Sequence, residues 1–389
     1  MPSMTDFGLA GDPFALVPNA RVTHWAGRPE VLDLLLDVAR SVRIDDSGLS
    51  EFVVIHGDWG AGKTHALRYL LTTINESGEF GSLALYMPKI KVGPKLSFLE
   101  LYKRLLQDIG PVRFRVIAQA IKERVDAAAQ AMSATLTPQE VHRVHEERGG
   151  LKPLVIESCP PDDQAMVRTL LMLADGDEGV LSFLSGSRPP PAGSGFSQSI
   201  VSDFDAVHAF GSLCRTLTLP IGDQDPVFKA VHLLIDEAED ALQAKAAEQA
   251  ELWGSIRELV NQVPYRMALL IAFTAEAAFL EAVMPEAVLE RTTRRNIELQ
   301  SLDPIDAKEF LRDHLHFHRP AGFDNPNPYY PFTEDAVDIV LEREPILVPR
   351  KIFRHMRQIL NRAIKREDLT PGETIDAGMA AEIISGLGI

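Results

Sequence analysis

Eight consecutive residues constrain this chain more than any others: Gly57-Asp58-Trp59-Gly60-Ala61-Gly62-Lys63-Thr64 fits the pattern G-x-x-x-x-G-K-[ST] at every specified position. The segment before it, Glu51 to His56, is β-branched and apolar, and a helix is expected from Thr64 to about Asn75. A glycine-rich turn between strand and helix lets successive backbone N–H groups point at phosphate oxygens, and the helix adds its positive dipole end. Lys63 is expected to reach the β- and γ-phosphates of a nucleotide, and Thr64 to place its hydroxyl on Mg²⁺.

A phosphate loop needs an acidic partner at the end of another core strand. Val231 to Ile235 followed by Asp236-Glu237 supplies it. Asp236 is the expected Mg²⁺ holder, through water, and Glu237 the expected general base for an attacking water. Glu239 and Asp240 read as acids at a helix start, where they suit the dipole.

Ser82–Met87 and Ala268–Thr274 read as further strands, with Asn296–Leu299 as a fifth. Helical spacing marks Pro29–Val42, Leu96–Ile109 and the region around Gln243–Asn261. The fold class is therefore α/β, a parallel sheet flanked by helices. From about Pro111 to Ile221 strand signals vanish and helices take over, among them Phe114–Met132, Pro138–Glu147 and Asp162–Ala174. Within that stretch Ser185–Ser199 is rich in proline, glycine and serine and is expected to be exposed, and to be disordered before any other part of the chain. The expected division is residues 1–110 as lead-in and first core part, 111–221 as helical insertion, 222–302 as second core part and 303–389 as helical lid.

Bulk properties exclude some classes. The longest apolar runs are strand-length, far short of the roughly 20 residues of a membrane helix, and the first ten residues carry no basic region leading into an apolar one; a cytoplasmic protein is expected. Cys159 and Cys214 have no partner at metal-ligand spacing and read as reduced thiols. A net charge of -16 disfavours a chain that coats nucleic acid with its whole surface. One local basic stretch remains, Arg350, Lys351, Arg354, Arg357, Arg362, Lys365 and Arg366 on one helix; a DNA-facing patch and a solvated helix face both fit it.

Strand-terminal Asp-Glu separates hydrolysing P-loop chains from nucleotide kinases, and with the later elements the sequence resembles the AAA+ ATPases. That resemblance implies ATP and Mg²⁺ as cofactors, with the nucleotide held by residues 57–64 and the neighbouring His65. It further implies that Thr274, at the end of a strand, helps position the attacking water. Arg291, beside Arg294 and Arg295, would be the finger that reaches a neighbouring subunit's γ-phosphate. Arg350, at Val348-Pro349-Arg350, would contact the γ-phosphate from the lid, which Leu302 to Ala307 would open. Trp25 and Arg28, in Trp25-Ala26-Gly27-Arg28-Pro29-Glu30, stand where origin-recognition and transposon-regulator ATPases keep their adenine-side segment; a packed tryptophan accounts for Trp25 equally.

As many as 172 positions separate Thr64 from Asp236, far more than a minimal AAA+ core requires. Together with GDWGAGKTHALRYL, LYKRLL, GVLSFLSG, LLIDEAEDAL and LLIAFTAEAAF, this is similar to the P-loop ATPases of BREX-type bacterial phage-defence islands. The resemblance implies an ATP-driven member of an anti-phage or DNA-processing complex, homo-oligomeric or bound to other proteins of that complex, with double-stranded DNA as a candidate partner. Two other readings stay open: a DNA loader of the origin-recognition or transposition-regulator type, and a STAND-like signalling switch that oligomerises on nucleotide.

Overall fold

A computed structural model describes residues 4–17, 19–274, 284, 286–289, 296–365 and 372–386. After a 3₁₀ turn at Met4–Phe7, the elements run α1 (Pro29–Ser41), β1 (Glu51–Gly57), α2 (Lys63–Glu76), β2 (Leu83–Met87), α3 (Phe98–Thr135), α4 (Pro138–Arg148), α5 (Lys152–Ser158), α6 (Pro161–Ala174), α7 (Gly179–Leu184) and α8 (Asp203–Thr218). Then follow β3 (Val231–Ile235), a 3₁₀ turn at Ala238–Gln243, α9 (Ala246–Gln262), β4 (Met267–Phe273), α10 (Glu286–Leu289) and β5 (Ile297–Leu299). The chain continues with α11 (Pro304–Phe317), α12 (Glu334–Arg343), α13 (Pro349–Lys365) and α14 (Ala377–Ser385).

The five strands form one parallel sheet in the order β2-β3-β4-β1-β5. Every residue of β1, β3 and β4 is buried. Helices cover both faces, so these strands are mainly apolar without an alternating pattern; His232, the one histidine within β3, is buried and bonds the Ala39 carbonyl at 3.1 Å. β4 lies between the strand that leads into the phosphate loop and the strand that ends in Asp236. This order brings Gly57, Asp236 and Thr274 to the same carboxyl edge, the edge where open parallel sheets bind ligands.

One face of the sheet packs on α1 and α2, through Val53, Ile55, Leu67, Leu70, Leu234 and Leu270. The other shares a core with the helices from α3 to α9. The helices expected at 96–109 and 114–132 both form, within α3, and are parted by a kink at non-helical Gly110 (φ 73°) and Pro111. α5, α7 and α8 were not visible as individual elements. Ser185–Ser199 is irregular as expected but is not disordered: Ser194 is fully buried and Phe196 packs its ring 5.1 Å from that of Phe183. Apolar anchoring inside a polar-looking stretch fixes it. Both cysteines are free and buried, and among the described residues no helix is long and apolar enough to cross a membrane.

A third core joins the two ends of the chain. Phe7, Leu9 and Phe14, all fully buried, pack with Leu311, Phe332, Ile352, Met356 and Ile359 of the C-terminal helices. Phe14 sits 6.1 Å from Phe332 and 5.6 Å from Phe353, and Asp12 pairs with Arg357 at 2.7 Å. The lead-in is thus built into the C-terminal helical unit. In the basic stretch on α13, Lys351 pairs with Glu344 at 3.1 Å, while Arg354, Arg362 and Lys365 are exposed; Arg366 lies outside the described residues.

Candidate functional site

The turn after β1 depends on glycine. Gly57 has φ 149°, and a Cβ there would stand 2.4 Å from the Leu299 carbonyl oxygen; Gly60 has φ 88°, and a Cβ there would stand 2.7 Å from Cβ of Arg350. Gly62, left-handed at φ 111°, is the N-cap of α2 and provides no side-chain cap. A helix start without a capping side chain leaves N–H donors for an anion, and the helix dipole favours one there. The loop therefore fits a polyphosphate.

Lys63 is buried and donates to the carbonyls of Gly57 at 2.7 Å and Asp58 at 2.9 Å. Burial lowers its pKa; Glu239, Asp236 and Asp58 counter that by favouring the charged form. Asp236 is 3% exposed. It accepts from the Tyr86 hydroxyl at 3.0 Å and from the Glu237 backbone at 3.0 Å, and no Lys or Arg pairs with it among the described residues. A buried, hydrogen-bonded carboxylate lining the same cavity as Thr64 is the donor chemistry Mg²⁺ takes. Glu237 is exposed, in a left-handed conformation (φ 45°) that re-aims the chain after β3. Residual burial and the neighbouring Asp236, Asp240 and Glu239 raise its pKa.

Lys63, Thr64, His65, Asp236, Glu237, Thr274 and Arg350 all line one cavity of about 310 Å³, together with Trp59 to Gly62 of the loop. Trp25 and Arg28 line it as well. Arg28 donates to the Ala61 carbonyl at 2.6 Å and to the Gln300 carbonyl, which clamps the phosphate loop to the end of β5. The Trp25 indole donates to the Gly27 carbonyl at 2.6 Å and lies 6.0 Å from the His65 ring and 5.5 Å from the Tyr69 ring. His65 bonds the His24 carbonyl at 3.0 Å, tying α2 to the N-terminal segment. Gly57 and Asp58 act through the carbonyls that hold Lys63. Arg291, Arg294 and Arg295 lie outside the described residues.

Glu239 and Asp240 lie at a helix start as expected, in the first turn of the 3₁₀ helix Ala238–Gln243. What the sequence did not show is that Glu239 also lines the cavity, where it accepts from the Thr274 backbone N–H at 3.1 Å.

No protein-family model matches the chain, and no curated protein does. Among solved structures, the Aeropyrum pernix ORC2 protein (ADPNP–ADP complexes) superposes with TM-score 0.52 at 10% identity, over 96% of this chain and 70% of that one. The A. pernix ORC1 protein in complex with DNA gives 0.48 at 11% identity, over 97% and 69%. The Walker-type ATPase PABY2304 of Pyrococcus abyssi gives 0.44 at 13%, over 96% and 77%. At such identity what is shared is the fold. What this chain shares with the ORC2 protein is the α/β fold of AAA+ kind, a parallel sheet with a phosphate loop after its first strand, followed by C-terminal helices.

Proposed function

We propose that this protein binds ATP with Mg²⁺ and hydrolyses it, as the nucleotide-driven switch or motor of a multi-protein bacterial complex that processes DNA or defends against phage. The observation that carries the reading is convergence: a buried lysine, a buried carboxylate, an exposed glutamate of raised pKa and an arginine from the C-terminal helices face one cavity beside an uncapped helix start. In this reading Gly57 to His65 hold the triphosphate, and Thr64 and Asp236 hold Mg²⁺. Glu237 takes the proton of the attacking water, Thr274 orients that water, and Arg350 neutralises charge on the γ-phosphate. Mg²⁺, when bound, would supply neutralisation of negative charge on the phosphates.

The defence assignment rests on the sequence resemblance to BREX-type ATPases. A DNA loader of the origin-recognition kind is the second reading, favoured by the likeness in fold. We further propose that subunits assemble so that Arg291 completes a neighbour's site. Mixing Arg291→Ala with Glu237→Gln should then restore part of the hydrolysis that each lacks alone; a mixture that stays inactive overturns the assembly. ATP turnover measured with and without double-stranded DNA, beside mass measurement in each nucleotide state, tests the function. Turnover stimulated by DNA supports a DNA-processing role, and nucleotide-dependent oligomers indifferent to DNA contradict it.

A further inference from the structure

Beyond the phosphate-binding end, the wall of the cavity holds three histidines that nothing in the proposed ATP chemistry uses: His24 from the N-terminal segment, His314 in the last turn of α11, and His318, the C-cap of that helix. One ring nitrogen from each lies within 4.8 Å of the other two. His314 is buried, the other two half-buried.

The hydrogen bonds fix which nitrogens carry a free lone pair. His314 Nε2 bonds the Pro13 carbonyl at 2.5 Å, and a carbonyl can only accept, so the proton sits on Nε2 and Nδ1 carries a bare lone pair. His318 Nδ1 bonds the His314 carbonyl at 2.9 Å, which by the same logic leaves Nε2 as the lone-pair nitrogen. His24 Nε2 stands 3.4 Å from His314 Nδ1. Metal-bound histidines usually donate their second N–H to a carbonyl or carboxylate, which sets the tautomer and orients the ring; two of the three do so here. Tetrahedral zinc with Zn–N of about 2.0–2.1 Å places neighbouring ligand nitrogens about 3.3–3.4 Å apart, the separation of the His24–His314 pair. Phe317, stacked on the His24 ring at 3.9 Å, and Phe353, 4.4 Å from the His314 ring, wall the cluster with apolar surface. The carbonyl end of α11 favours a cation.

We propose that His24, His314 and His318 bind one zinc-class divalent ion, with a fourth position open to the cavity. Three imidazoles suit zinc, copper or nickel and not the oxygen-seeking Mg²⁺ of the phosphate end. The ion joins the N-terminal segment to α11, and so ties the C-terminal helical domain to the segment that also holds His65 through the His24 carbonyl. Binding requires no covalent step and no ATP turnover, so it stands or falls apart from the ATPase reading.

The test uses untagged, nucleotide-free full-length protein titrated with Co²⁺ and with Zn²⁺ against a chromophoric chelator. One equivalent is expected to bind, and His24→Asn and His318→Asn should each weaken it by at least about 10- to 100-fold, since even loss of a supporting partner of a metal ligand costs that much. His142→Ala, on exposed α4, should bind as the wild type does. Absence of binding, or binding unchanged in both cluster variants, overturns the proposal. Should those variants misfold, X-ray absorption of the zinc-loaded wild type decides: at least three nitrogen ligands at about 2.0–2.1 Å uphold the site, and an oxygen-only shell overturns it.

Discussion

The guanidinium of Arg350, at the start of α13, lies 4.1 Å from the ring centre of Trp59, the third residue of the phosphate loop. The same residue donates its backbone N–H to the Gly60 carbonyl at 3.3 Å. The C-terminal helices therefore touch the phosphate loop directly, through both the side chain and the backbone of Arg350.

Replacing Arg350 by Ala should lower the turnover number by about 10²- to 10³-fold, the usual effect of removing one donor aimed at developing charge. Arg350→Lys should restore only part of it, because an ammonium does not stack on an indole as a planar guanidinium does. Steady-state ATP hydrolysis checks this. Wild-type turnover in the Ala variant would make the Arg350–Trp59 contact purely structural.

Glu239 should matter through Thr274. Glu239→Gln keeps an oxygen for the Thr274 N–H, whereas Glu239→Ala removes it. A hydrogen bond to a charged group is worth about 1.5–3 kcal/mol, so the Ala variant should hydrolyse ATP roughly 10- to 100-fold more slowly than wild type, with the Gln variant between. Equal rates for the two variants would separate Thr274 from the chemistry.

Turnover should also depend on pH in a direction that Glu237 sets. A general base works ionised. Its pKa is raised above the ordinary 4.5 by burial and by the adjoining acids, so the ionised fraction, and the rate, should be full well above that raised pKa and fall as pH drops through it. An acid limb should therefore be present in the wild type and missing from the residual activity of Glu237→Gln. A pH–rate profile of both proteins reads this directly.

The phosphate loop and the Asp236-Glu237 pair were legible in the sequence because each is a local pattern: a fixed spacing of glycines, or a mainly apolar strand that stops at two acids. Burial on both faces gave β1, β3 and β4 the mainly apolar, non-alternating sequences that mark them. Features made by distant residues were not legible. Nothing near Phe7 or Phe14 signals that Phe332 and Phe353 will enclose them, and burial of such a phenylalanine stabilises by about 1.5–3 kcal/mol. His24 and His314 are 290 positions apart. Glu239 was legible as an acid at a helix start, but its contact with the Thr274 N–H, 35 positions on, was not. Ser185–Ser199 misled because its composition hides Phe196, whose packing holds the segment.

The central claim is that Lys63 binds and Glu237 hydrolyses, and one paired measurement separates the two: equilibrium ATP binding and single-turnover hydrolysis on wild type, Lys63→Ala and Glu237→Gln. The account predicts that Lys63→Ala loses tight binding, while Glu237→Gln binds as wild type and hydrolyses about 10²- to 10⁴-fold more slowly. Unchanged affinity in Lys63→Ala, or near-wild-type hydrolysis in Glu237→Gln, would contradict it.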